Sequence, residues 1–144
     1  MKRIFTGIFA VLLLACSSVS FAVGEPETRG NSVPTQKTTL PYSAYANKVY
    51  SYTYTAYKFK PNSGNKINVD FYAYCPQGDS YYLRLYDSTT GSEVSSTLAI
   101  LTLVGQVETT TSHSWSNLNS DRYYYGKLEK MNSTHSARMT ATYE

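Results

Sequence analysis

Residues 66–75, KINVDFYAYC, alternate strictly between apolar and polar positions. Ile67, Val69, Phe71, Ala73 and Cys75 fall on one side; Lys66, Asn68, Asp70, Tyr72 and Tyr74 fall on the other. A period of two marks a strand with one face buried. Residues 80–87, SYYLRLYD, repeat the pattern, with Tyr81, Leu83 and Leu85 set against Tyr82, Arg84 and Tyr86. Between the two runs, Pro76-Gln77-Gly78 reads as a hairpin loop, Pro opening a type I turn and Gly taking the left-handed position. That loop predicts a register in which Phe71 lies beside Leu83 and Val69 beside Leu85 on the inner face. On the outer face the same register sets Asp70 beside Arg84 and Tyr72 beside Tyr82, joining opposite charges and pairing rings.

The rest of the chain reads the same way. Residues 98–104 (LAILTLV) form a continuous apolar run, which predicts a buried strand, and residues 107–115 alternate through Thr111, His113 and Trp115. Residues 88–92 (STTGS) predict a turn. Residues 122–131 (RYYYGKLEKM) and 135–143 (HSARMTATY) predict a last hairpin around Asn132-Ser133-Thr134. Tyr124, Gly126, Leu128, Ala137, Met139, Ala141 and Tyr143 would point inward. Residues 49–60 (VYSYTYTAYKFK) carry rings on even positions to Tyr54 and on odd positions from Tyr57 to Phe59. Keeping both sets on one core side requires a bulge, which we expect near Thr55-Ala56; the alternative is a strand with no bulge, leaving three tyrosines outside. About seven short strands with turn signals between them predict a single antiparallel β-sandwich or jelly roll over residues 41–144.

The first 22 residues have another character. Lys2 and Arg3 lead an apolar stretch that ends in Ser20-Phe21-Ala22, the layout of a cleavable secretory signal. Residues 23–40, rich in Pro, Gly, Thr and charge, are expected to be a flexible lead-in. The alternative is that Leu13-Leu14-Ala15-Cys16 is a lipobox and Cys16 carries a lipid anchor. No later segment approaches the roughly 18 apolar residues that cross a bilayer. The expected location is therefore secreted or extracytoplasmic. Removing Lys2 and Arg3 from the formal +3 leaves +1, too little to attract nucleic acid. Beyond Cys16 the sequence holds only Cys75, so an internal disulfide is not expected.

Candidate chemistry is sparse. Gly78-Asp79-Ser80 matches the opening of an esterase motif, but no Asp-x-x-His follows, and the turn already accounts for the Gly and Asp. Cys75 shares its parity with Ile67, Val69 and Phe71, which predicts a buried, inert thiol. His113 and His135 are too few for a zinc site, and no calcium loop occurs. Neither a catalytic residue, a metal nor a cofactor is expected. Tyr72, Tyr74, Tyr82, Arg84 and Tyr86 are the candidate ligand-binding residues, because the predicted hairpin places them together as rings edged by hydrogen-bonding groups. Such a strip suits a cell-surface glycan or an extracellular protein.

Residues 80–87 and 122–128 also resemble strands of bacterial pre-peptidase C-terminal domains, although this chain lacks the Gly-Thr that precedes the tyrosines there. The resemblance implies a secreted β-sandwich accessory module without an active site. The expected function is thus a secreted, non-catalytic binding protein. The alternatives are a secreted effector or antimicrobial protein, and a surface or matrix protein assembling through strand edges. Intact-mass measurement of the native protein should find Val23 as the first residue; a lipid-modified Cys16 terminus would replace the signal-peptide reading with the lipobox.

Overall fold

The computed structural model describes residues 30–94, 98–102, 109–132 and 134–144. The expected signal segment, residues 1–22, and the end of the apolar run, residues 103–104, lie outside the described residues. The described chain forms β1 (Gln36–Thr38), β2 (Tyr42–Val49), β3 (Tyr52–Tyr54), β4 (Tyr57–Phe59) and β5 (Ile67–Tyr74). It continues through β6 (Asp79–Asp87), β7 (Leu98–Thr102), β8 (Thr109–Trp115), β9 (Tyr124–Lys130) and β10 (Ala137–Tyr143). The architecture is all-β, with two sheets and no helix among the described residues. One sheet runs β1-β4-β9-β6-β7 with β3 also on β9; the other runs β2-β10-β5-β8.

Nearly every connection carries the chain from one sheet to the other; only β3 to β4 and β6 to β7 stay within a sheet. This corrects both predicted hairpins. The Pro76-Gln77-Gly78 turn does form, closed by Gly78 N–H donating to the Cys75 carbonyl at 3.0 Å with Gly78 at φ 72°. It delivers β6 to the opposite sheet, however, instead of alongside β5. Strand β5 pairs with β10 and β8, and β6 pairs with β9 and β7. Strands β9 and β10 likewise separate into different sheets. A short turn can either pair its two strands or carry the chain across the interior; here β5 and β6 send Phe71, Val69, Leu83 and Leu85 into one shared core from opposite sheets.

The inward sets are as expected: Ile67, Phe71, Ala73, Cys75, Leu128, Met139, Ala141 and Tyr143 are buried in the core. The ten strands exceed the expected seven or so. Two are short pieces of the tyrosine-rich stretch, and a third is β1. Strand β1 lies inside the expected flexible lead-in and pairs parallel to β4, so the sheets are not purely antiparallel. Its Gln-Lys-Thr sequence has no buried apolar side, and backbone pairing holds it in place.

The strand breaks at Thr55-Ala56, between β3 and β4, but the expected parity-switching bulge does not form. The pairing with β9 slips by two residues, from Tyr54 beside Lys127 to Phe59 beside Tyr124, so odd-numbered positions face inward on both sides. Thr55 Oγ1 bridges the break, accepting from Gly126 N–H at 3.1 Å and donating to the Tyr57 carbonyl at 2.9 Å. Ala56 N–H donates to Tyr42 Oη at 3.1 Å. The rings do not follow the expected inward course. Thr53, Thr55 and Phe59 are buried, whereas Tyr52 and Tyr54 are half-buried on the outer face and Tyr50 is 55% exposed. The inner space at the break is already filled from the other sheet by Tyr143, whose ring lies 4.6 Å from that of Phe59 and 6.2 Å from that of Tyr42. Tyr143 reaches so far because Gly126 has no side chain. A β-carbon there would overlap Tyr143 Oη and stand 2.8 Å from its Cζ and 3.1 Å from Thr55 Cγ2.

Burial, with the neighbouring Tyr42 phenol adding to it, pushes the Tyr143 phenol well above its usual value. Its buried hydroxyl has no hydrogen-bond partner among the described residues. Gly126→Ala should therefore cost about 1–3 kcal/mol or more in denaturant unfolding. Tyr143→Phe, which removes only the unsatisfied hydroxyl, should be neutral or stabilising by about 1 kcal/mol and should soften the Gly126→Ala defect.

Candidate functional site

The outer face of the six-stranded sheet is built from alternate residues of β3, β9 and β6. Pairing aligns them in rows: Tyr52 beside Glu129 beside Tyr82, and Tyr54 beside Lys127 beside Arg84. The next row sets Tyr125 beside Tyr86. Rings run continuously along this face. Tyr52 meets Tyr54 edge-on at 5.7 Å, Tyr54 meets Tyr125 edge-on at 5.7 Å, and Tyr125 stacks on Tyr86 at 5.5 Å. Tyr125 is buried and forms a floor, while Tyr52, Tyr54, Tyr82 and Tyr86 stay half-exposed around it. Both edge-on and offset-stacked arrangements suit the ring quadrupole, so neighbours fix one another's orientation.

Ion pairs fill the middle of the face. Arg84 Nε donates to Glu129 at 2.8 Å, and Arg84 also holds Glu93 at 3.0 Å. Lys127 Nζ donates to the other Glu129 oxygen at 2.9 Å and sits 4.6 Å from the Tyr52 ring centre. The Arg84 guanidinium lies 5.2 Å from the Tyr82 ring centre. Partial burial would raise the Glu129 carboxyl, but hydrogen bonds from Lys127 and Arg84 outweigh it and hold the group below its usual value. Burial, with a smaller contribution from Glu93, raises the Tyr86 phenol; burial beside Tyr54 and Tyr86 raises Tyr125. The face is a shallow platform of stacking rings and oriented hydrogen-bonding groups.

The five residues expected to act together are divided between two faces. Tyr82, Arg84 and Tyr86 belong to this platform, but Tyr72 and Tyr74 are on β5, on the outer face of the opposite sheet. There Arg138 donates to Tyr72 Oη at 3.1 Å and lies 5.2 Å from the Tyr74 ring centre. The expected Asp70–Arg84 pair does not exist: Asp70 accepts from Ser112 Oγ at 2.5 Å in the four-stranded sheet. The shared patch fails because the turn at Pro76-Gln77-Gly78 changes sheets. Tyr52, Tyr54, Tyr125, Lys127 and Glu129 complete the platform and were not among the expected site residues. The odd-numbered parity of Tyr125, Lys127 and Glu129 already marked them as outward, opposite to Tyr124, Gly126 and Leu128.

Elsewhere the polar groups serve the fold. Cys75 is free and wholly buried, as expected. Asp79 is buried in an ion pair with Lys130 and accepts from the Ser80 and Asn132 amides at 2.7 and 3.1 Å. The ring of His113 meets that of Trp115 edge-on at 4.8 Å. Among the described residues no cluster of three His, Cys, Asp or Glu could hold a metal ion.

No protein-family model matches the chain, and no curated protein matches it. Among solved structures it is similar to the enzymatically active domain of tailspike protein 4 from bacteriophage CBA120, with a TM-score of 0.45 and 11% identity. That similarity covers 76% of this chain and 18% of the tailspike chain.

The depressed Glu129 carboxyl sets a pH dependence. Its stabilisation is present above the unfolded value of 4.5 and is lost as pH falls through the lower folded value. The thermal midpoint of the wild type should therefore exceed that of Glu129→Gln near neutral pH, and the gap should close in acid. A gap independent of pH would show that the Arg84–Glu129–Lys127 network does not stabilise the sheet.

Proposed function

We propose that the chain is an exported, non-catalytic jelly-roll module that binds a glycan on the outer face of its six-stranded sheet. The observation that carries this reading is the run of neighbouring rings Tyr52, Tyr54, Tyr125 and Tyr86, spaced 5.5–5.7 Å apart on an outward face. Sugar rings present C–H faces that stack on phenols and hydroxyls that bond at the edges. Rings already held by their neighbours lose little freedom on binding, which lowers the entropic cost of association.

The charges favour a sugar over a protein partner. Arg84, Lys127 and Glu129 stand in the middle of the platform, where a protein interface would have to strip their water. A hydroxyl-rich ligand instead supplies hydrogen bonds to them. The jelly-roll reading rests on the order in which the chain visits the two sheets, β2-β10-β5-β8 facing β4-β9-β6-β7.

Affinity electrophoresis through a panel of soluble polysaccharides tests the reading. Tyr54→Ala and Tyr86→Ala should each weaken retardation by roughly 3–10-fold, the worth of one stacked ring. Tyr72→Ala and Tyr74→Ala, on the opposite face, should leave it unchanged. Retardation by no polysaccharide in the panel, or loss in the β5 variants alone, would sink the assignment.

A further inference from the structure

The platform does not end at Tyr125. Tyr123 extends it toward β4 and β1, and two ammonium groups converge on that ring: Lys37 Nζ at 4.6 Å and Lys60 Nζ at 5.4 Å from its centre. Lys58 stands directly beside Lys37 across the parallel β1–β4 pair. It precedes the inward Phe59, so it lies on the outer side with them. None of these three lysines has an ion pair with an acidic side chain among the described residues. The nearby Arg122 is already taken by Asp87 at 2.6 Å. A cleft of about 290 Å³ adjoins the cluster, lined by Thr38, Leu40, Lys60, Pro61, Asn62 and Tyr123 among others.

This end of the sheet differs from the centre of the platform. Arg84 and Lys127 are matched by Glu93 and Glu129, whereas among the described residues Lys37, Lys58 and Lys60 add three positive charges with no acidic partner on the same face. Like charges on neighbouring strands cost stability, and the Tyr123 ring offsets only part of that cost. A local rule broken with only partial internal compensation points to an external one. Lys37 and Lys58 are cross-strand partners and Lys37 and Lys60 share the Tyr123 ring, so a charged ligand lying on this end meets all three.

We propose that the glycan of the preceding section is an acidic polysaccharide, whose carboxylate or sulfate groups meet Lys37, Lys58 and Lys60 while its ring faces stack on the tyrosines. The inference rests on the platform reading and adds the chemical class of the ligand.

The test compares affinity electrophoresis in polygalacturonate, dextran sulfate and neutral dextran, with wild type and the triple variant Lys37→Gln, Lys58→Gln, Lys60→Gln. Wild type should be retarded by an acidic polymer at least about tenfold more strongly than by dextran, with retardation falling as salt rises. The triple variant should lose about tenfold on the acidic polymer and nothing on dextran. Preference for polygalacturonate assigns carboxylates and preference for dextran sulfate assigns sulfates; either supports the proposal. Equal retardation by dextran and the acidic polymers, or an unchanged triple variant, overturns it while leaving the platform reading intact. Retardation by none of the three, in a protein that also fails on the wider panel, overturns both. The triple variant should melt at or above the wild-type temperature because repulsion is relieved. The salt series on wild type reads the same contact without any substitution.

Discussion

The fold depends on two sheets pressing their apolar sides together. Cys75 is the sole described thiol and is free, so stability must come from burial and backbone pairing. Phe71, Leu83, Leu85, Leu128 and Met139 lie fully buried between the layers, each such side chain contributing about 1.5–3 kcal/mol. Where the six-stranded sheet breaks at Thr55-Ala56, the layers interlock. Tyr143 and Tyr42 cross from the four-stranded sheet, Gly126 leaves room, and Thr55 Oγ1 replaces the missing ladder bond. With the interior closed in this way, the outward side chains of β3, β6 and β9 are held on a stiff support.

That support explains how a surface made of common residues becomes a specific shape. The tyrosines touch one another edge-on or stacked, and Arg84 is held by two carboxylates at once. Each group restricts the next, so the platform's shape is fixed by its own contacts. The opposite outer face is different in kind. Its rows are mostly hydroxyls, such as Ser43 with Thr142 at 3.0 Å, and its two β5 tyrosines are tied to Arg138.

The strand alternation made the inside and outside of β5, β6, β9 and β10 legible in the sequence, along with the Pro76-Gln77-Gly78 turn and the buried thiol. The tyrosines of β3, by contrast, were placed on the wrong side because a bulge was expected that would turn them inward. The neighbour of each strand was not legible. Alternation states which side chains are buried, and two strands bury the same residues whether they lie side by side or face to face. The apparent matches of Asp70 with Arg84 and Tyr72 with Tyr82 arose because outward positions are generally polar or aromatic, so a false register also finds partners. The five candidate residues are therefore divided: Tyr82, Arg84 and Tyr86 share a surface, and Tyr72 and Tyr74 are on the other side. Strand β1 left no signal because Gln36, Lys37 and Thr38 bury no apolar face.

The order of the four-stranded sheet has a consequence for how the molecule is made. Strand β10, the tenth described strand, lies between β2 and β5, which do not pair with each other. A nascent chain on the ribosome can therefore assemble neither the middle of this sheet nor the Tyr143 joint until β10 has been synthesised. Such long-range closure is intrinsically slow. Until then β2 has no partner in its sheet and β5 has only β8, so one half of the sandwich waits on the last strand to close it.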